Sequence, residues 1–362
     1  MSGKPLITAN MVTTARLVGM PILAWMVYQG ETGWWWALIL GNFIGSTDFV
    51  DGYLARKHGP TVLGGLLDPI ADKVLIAAWY LPRADPQVGV LPAWPVAVLF
   101  LREFLVTAMR SAFEQRDLVM RTSYLGKLKT WSQMQGIGVM MLMVMLESHR
   151  DIMAWILGVG MVLPVLVTIP VYFIQKRVYW SALIMGALQG VVFGLYLVVH
   201  YQVMVLIVLI AIVALTWLSG ADYLLGGFPK LKQAGDFAKA DFVRILGAAA
   251  LPITVIWCLI EAPTVWFLPI GGVLAIELAV GGLDNLLSHH RAASGAFAWA
   301  SRTLGASLFL FLAVVATKLG YVSLANPLAM VGLVISLVGG AREFWRGSDY
   351  YLDARLRDKA LV

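Results

Sequence analysis

The chain has 362 residues, of which 60% are hydrophobic and only 13% charged. A soluble domain carries about 45–50% apolar and about 25% charged residues, so the composition excludes one. The net charge of +6 would suit nucleic acid in a soluble chain; in one this apolar it reflects basic loops on one side of a membrane, and no nucleic-acid partner is expected. A single cysteine, Cys258, excludes an intramolecular disulfide and a cysteine metal cluster. The opening MSGKPLITANMVTTAR lacks the charged, apolar and small-residue pattern of a signal peptide.

Apolar runs recur along the chain at the length of about 20 residues that crosses a hydrocarbon core as a helix. They predict an all-α polytopic membrane protein with about twelve spans. The first six lie near 10–29, 33–54, 66–82, 91–113, 130–147 and 152–174. The second six lie near 178–199, 202–226, 242–261, 264–287, 296–317 and 322–342. With the N-terminus inside, Lys4, Arg56, Lys57, Arg116, Arg121, Lys127, Lys129, Lys176, Arg177, Lys230, Lys232, Lys239 and the tail from Arg342 to Lys359 fall on the cytoplasmic side. Only Arg83, Arg150 and Lys318 fall outside, an asymmetry that orients the chain with both termini cytoplasmic. Trp34, Trp35 and Trp36 then form an aromatic anchor at the outer face. The turn after Arg177 divides the chain into a module at 1–177, rich in intramembrane carboxylates, and a second helical module at 178–362.

Spans two and three carry the chemistry. Asp48 and Asp51 are three apart at the end of one, and Asp68 and Asp72 four apart at the start of the next, so each pair shares a helix face. Asp68-Pro69 reads as a helix start, an acidic cap followed by proline at the first helical position. Gly52, Gly64 and Gly65 allow close backbone approach. Each unpaired Asp at the bilayer centre costs roughly 2.5–3.5 kcal/mol, so four require a wet cavity, cations or each other. Arg56 and Lys73 cannot neutralise all four. Hard divalent cations can, and two of them would clamp a diphosphate for in-line displacement. A proton or ion relay is the competing reading of such intramembrane acids.

The pattern Asp48-x2-Asp51-Gly52-x2-Ala55-Arg56-x7-Gly64-x3-Asp68-x3-Asp72 resembles the signature of the CDP-alcohol phosphotransferase family, with one residue fewer than usual between Arg56 and Gly64. Asn10-x2-Thr13-x2-Arg16-x4-Pro21, REFLVTAMR (102–110) and YLGKLKTWSQM (124–134) are similar to the phosphatidylglycerolphosphate synthase branch, so the resemblance covers about residues 5–175. It implies a six-helix catalytic bundle and two divalent ions, Mg²⁺ or Mn²⁺. Asp48, Asp51, Asp68 and Asp72 would be metal ligands, with Asp72 also the catalytic base. Gly52, Ala55, Arg56, Thr61 and Gly64 would bind CDP. The implied reaction joins CDP-diacylglycerol and sn-glycerol 3-phosphate, giving phosphatidylglycerol phosphate and CMP. The family also implies a homodimer in the plasma (inner) membrane bilayer with its active site facing the cytoplasm.

A dianionic acceptor needs a basic pocket. Arg102 and Arg110, eight apart on nearly one helix face, and Lys127 at the start of the next span, are the expected phosphate contacts, with Lys129 a weaker candidate. Inositol phosphate, serine or phosphatidylglycerol as acceptor, and a secondary transporter, are the alternatives. The second module has no motif beyond a faint echo of the first. Arg244-x7-Pro252 parallels Arg16-x4-Pro21, and Asp284 stands near the place of Asp51, with Trp299 and Thr303 where Asp68 and Asp72 would be. His289 and His290 read as a solvated helix end, GVMMLMVML (138–146) as packing or lipid-facing surface, and Gly41-x3-Gly45 as a site of close helix packing.

Overall fold

The computed structural model describes residues 7–116, 118, 124–176, 180–221, 227, 229 and 239–352. Among these residues the chain is entirely helical. The helices are α1 (Ala9–Val27), α2 (Gly30–His58), α3 (Val62–Tyr80), α4 (Ala93–Glu114), α5 (Tyr124–Met145), α6 (Arg150–Gln175) and α7 (Trp180–Val198). They continue as α8 (Tyr201–Ala221), α9 (Lys239–Glu261), α10 (Phe267–His289), α11 (Ala296–Trp299), α12 (Gly305–Lys318) and α13 (Val322–Leu352). A π-helical turn, Ala300–Leu304, joins α11 to α12.

Seven described helical segments are long and apolar enough to cross a membrane. α3 and α4 have the length but carry Asp68, Asp72 and Lys73, and Arg102, Glu103 and Arg110, within their spans. Of these, Asp68, Asp72, Arg102 and Arg110 are residues singled out above for chemistry. The chain is a polytopic helical membrane protein.

Local sequence sets the ends that matter. The Thr8 hydroxyl accepts from the Met11 amide and starts α1. α2 ends at Gly59, whose φ of 91° lies in the region L side chains avoid. Thr61 then caps α3, its hydroxyl accepting from the Gly64 amide at 2.9 Å. This corrects the reading of Asp68-Pro69 as a helix start. Thr61 supplies the earlier cap, so α3 begins at Val62 and Pro69 lies inside it. A proline there has no N–H for the carbonyl four residues back, that of Gly65.

Packing divides the chain into two compact units, Met1–Met134 with Val213–Val362, and Gln135–Ile212. In the first, Gly41 lies so close to the Trp79 indole that a β-carbon would collide with it. A β-carbon on Gly45 would meet only the Met134 sulfur, at 3.7 Å, so of the Gly41-x3-Gly45 pair it is Gly41 that close packing requires. Gly281 and Gly282 bring α10 against α4 and α3: their β-carbons would lie 3.1 Å from Thr107 and 2.7 Å from Ile70. In the second unit, Gly186 approaches the Met161 carbonyl and Gly160 meets Gln189, bringing α6 and α7 together. Arg150 donates to the carbonyls of Tyr196 and Val199 at 2.8 and 3.2 Å and closes the end of α7.

Candidate active site

The four aspartates meet, three of them on an arginine and the fourth on a threonine one turn earlier. Arg16 of α1 is 2% exposed. Its Nη1 donates to Asp48 Oδ1 and Asp51 Oδ2, both at 3.0 Å, and its Nη2 to Asp72 Oδ1 at 3.1 Å. The Thr13 hydroxyl, one turn earlier, lies 3.1 Å from both Asp51 Oδ2 and Asp68 Oδ1, and its single proton serves one of them at a time. Thr13 and Arg16 are spaced to share a face of α1, so that face holds the acidic ends of α2 and α3 together. Sequence reasoning recognised the Asn10, Thr13 and Arg16 spacing but gave Arg16 no role, and considered only Arg56 and Lys73 as side-chain cations, judging them too few. Arg56 is exposed, and Lys73 turns instead to the Thr107 hydroxyl at 2.8 Å.

One guanidinium among four carboxylates leaves three negative charges unbalanced. Asp51 is buried, while the side chains of Asp48 and Asp72 are 51% and 40% exposed. The donor set is oxygen throughout, which fits hard divalent cations. As they stand, no group of three acidic, His or Cys residues among those described is closed around an ion position, because the carboxylates turn on Arg16 and Thr13. Asp48, Asp51, Asp68 and Asp72 are the residues that would hold such ions. When bound, divalent ions would neutralise charge on a diphosphate.

The residues expected around CDP lie at the turn beside the aspartates. Thr61 donates to Asn10 Oδ1 at 3.1 Å, joining the turn to α1. A β-carbon on Gly64 would lie 3.0 Å from that Asn10 oxygen, and one on Gly52 would lie 3.4 Å from Arg56 Nη1. Ala55 is half-buried, and Arg56 is free to extend outward.

On the other side of Asp72 is a cavity of about 450 Å³ whose charged lining is Asp72, Lys73, Arg102, Glu103, Arg110 and Lys129. Glu103 is the organiser. It accepts from Lys129 Nζ at 2.5 Å and from Arg102 Nη1 at 3.3 Å. Arg102, 5% exposed, also donates to Ser219 Oγ at 2.9 Å, and its Nε is buried without a partner. Arg102 and Arg110 both line the cavity. Lys129, ranked below Lys127 from sequence, lines the cavity, while the Lys127 side chain lies outside the described residues. Lys73, Glu103, Ser219 and Asn285 were not assigned to the cavity from sequence.

The sequence echo at Arg244 and Asp284 has a structural counterpart. Arg244 of α9 reaches Asp284 of α10 at 3.4 Å, much as Arg16 of α1 reaches Asp51 of α2. There the site is closed: Asp284 is 4% exposed and the Trp299 indole N–H points to its Oδ1. His289 is exposed and pairs with Glu114 at 3.0 Å, in keeping with a solvated helix end.

The profile of the CDP-alcohol phosphatidyltransferase family matches residues 6–166. A Bacillus subtilis protein named CDP-diacylglycerol--glycerol-3-phosphate 3-phosphatidyltransferase is 35% identical over 149 residues, which is 37% of this chain and 75% of the relative. A Cereibacter sphaeroides protein of the same name is 34% identical, over 40% of this chain and 66% of its own length. A Streptomyces coelicolor protein named cardiolipin synthase (CMP-forming) is 30% identical, over 37% of this chain and 64% of its own length. No solved structure matches the chain. Members of the family generally use divalent metal ions. With its signature aspartates gathered on one arginine inside the matched segment, the chain belongs to the CDP-alcohol phosphatidyltransferase family and is an integral-membrane transferase.

Proposed function

We propose that the protein transfers the phosphatidyl group of CDP-diacylglycerol to sn-glycerol 3-phosphate, giving phosphatidylglycerol phosphate and CMP. The observation that carries this is the cavity in which Asp72 shares a wall with Lys73, Arg102, Arg110 and Lys129. Such a lining suits an acceptor that brings both a hydroxyl and a phosphate, since Arg binds phosphate oxygens in pairs and Lys as a point charge. The names of the Bacillus and Cereibacter relatives point to the same acceptor.

In this reading residues 1–177 hold the transfer chemistry, and 178–362 form a second module. Asp48, Asp51, Asp68 and Asp72 hold two divalent ions, Mg²⁺ or Mn²⁺. Gly52, Ala55, Arg56, Thr61 and Gly64 receive the CDP moiety, and Arg102, Arg110 and Lys127 the acceptor phosphate. The acceptor hydroxyl attacks the phosphorus next to the diacylglycerol, its proton passes to the Asp72 carboxylate, and CMP departs with the electrons of the broken P–O bond. The basic-residue asymmetry supports an active site on the cytoplasmic side of the plasma (inner) membrane with both termini inside. A homodimer is part of the same reading.

The test is CMP release by the purified protein from CDP-diacylglycerol with each acceptor in turn, with and without Mg²⁺. Metal-dependent release with glycerol 3-phosphate is expected. Release with phosphatidylglycerol alone overturns the acceptor; solute flux without CMP release overturns the enzyme in favour of a transporter.

A further inference from the structure

The second module reaches the cavity. Of the residues lining it, Ser219 of α8 and Asn285 of α10 lie outside the matched segment 6–166. We propose that Asn285 binds the acceptor alcohol, donating its amide N–H groups to an acceptor oxygen, so that the acceptor site is built from both halves of the chain. This inference rests on the transfer reaction proposed above.

The amide is oriented from one side. Asn285 Oδ1 accepts from Ser111 Oγ at 2.7 Å, and Ser111 is 1% exposed on α4. With Oδ1 taken up by Ser111, Nδ2 is the end of the amide left for a ligand. Nδ2 has no hydrogen-bond partner among the described residues, yet the residue is half-buried and lines the cavity. Its two N–H donors are thus available to a ligand oxygen in the cavity.

The rest of the lining specifies that ligand. Lys73, Arg102, Arg110 and Lys129 only donate, and Glu103 is already engaged by Arg102 and Lys129. A molecule rich in acceptor oxygens, such as a phosphorylated alcohol, meets these donors, and Asn285 adds neutral ones. The helix that carries Asn285 is seated by Gly281 against Thr107 and Gly282 against Ile70, so its position relative to α3 and α4 is set within a turn of Asn285. Ser219 acts on the same cavity through Arg102. Its hydroxyl donates to the Thr216 carbonyl at 2.7 Å and accepts from Arg102. Gly220 leaves the guanidinium its space, since a β-carbon there would lie 2.8 Å from Arg102 Nε.

The experiment uses the full chain, measuring CMP release against glycerol 3-phosphate and, separately, against CDP-diacylglycerol. Asn285→Ala is expected to raise the acceptor KM about tenfold and to leave the CDP-diacylglycerol KM within about twofold, the size of effect for one lost neutral hydrogen bond. Asn285→Asp separates binding from packing. It is isosteric and still accepts from Ser111, but it turns a negative charge toward a dianion. If Asn285 touches the acceptor, Asp is the worse substitution, with kcat/KM for glycerol 3-phosphate down about a hundredfold. If the residue only packs α10 against α4, Asp is the milder one. An acceptor KM unmoved by either substitution, or an order of severity with Ala worse than Asp, overturns the proposal. Wild-type protein that releases no CMP with any phosphorylated acceptor overturns the transfer reaction itself, a result read before any variant is made.

Discussion

Arg16 and Arg302 are both buried and both hold carboxylates, and they do it differently. Arg302 in the π-helical turn meets Glu277 of α10 with its Nε 3.0 and 3.2 Å from the two oxygens, and both residues are sealed, at 2% and 1% side-chain exposure. Glu277 also accepts from Thr303 at 2.7 Å and Ser336 at 3.0 Å, and the guanidinium lies 4.7 Å from the centre of the Trp299 ring. One cation faces one anion, and each Glu277 oxygen has two donors. Arg16 by contrast serves three carboxylates directly, a fourth stands by on Thr13, and two of the four are open to their surroundings. The balanced pair is a finished piece of structure. The unbalanced one keeps charge in reserve for something that comes and goes.

That contrast is open to direct attack. The largest effect is expected from Asp72→Asn, which keeps the shape and removes the proposed base: CMP release should fall about 10³-fold, within the range for a lost general base, while the thermal melt persists. Full turnover in that variant would remove Asp72 from the chemistry. Chelating divalent ions should likewise stop turnover, and adding back Mg²⁺ or Mn²⁺ should restore it. Arg302→Met should cost about 3–5 kcal/mol of stability by stranding the Glu277 charge, with kcat per folded molecule within twofold. Its melting temperature should not respond to Mg²⁺. Arg16→Met should respond, because ions then replace the missing cation; stabilisation by about 2.7 kcal/mol is expected at a hundred times the ion's Kd. If both arginine variants answer Mg²⁺ alike, the two clusters are not different in kind. The smallest effect is Thr61→Ala, a lost helix cap worth about 1 kcal/mol.

The helices were legible because a bilayer demands long apolar runs, and each expected span has its helix. The four aspartates were legible because helical spacing alone puts each pair on one face. Arg16 was harder: its role depends on α1 meeting the acidic ends of both α2 and α3, which no local spacing encodes, although the Asn10, Thr13 and Arg16 stripe marked the right face. Pro69 misled because proline favours a helix start only when no better cap precedes it, and Thr61 does. Lys129 was undervalued because a lysine near a helix end looks like a membrane anchor until its partner, Glu103, is seen. Ser219 and Asn285 carried no signal at all, being ordinary polar residues on spans far from the motif.

The wide turn at Ala300–Leu304 lets two consecutive side chains, Arg302 and Thr303, reach the same glutamate, where neighbours in a regular helix diverge by about 100°. It marks a length constraint on the gene. Dropping a single codon here would restore regular winding and swing the whole of Gly305–Lys318 by roughly that angle, carrying Leu310 and Val314 from the interior toward lipid.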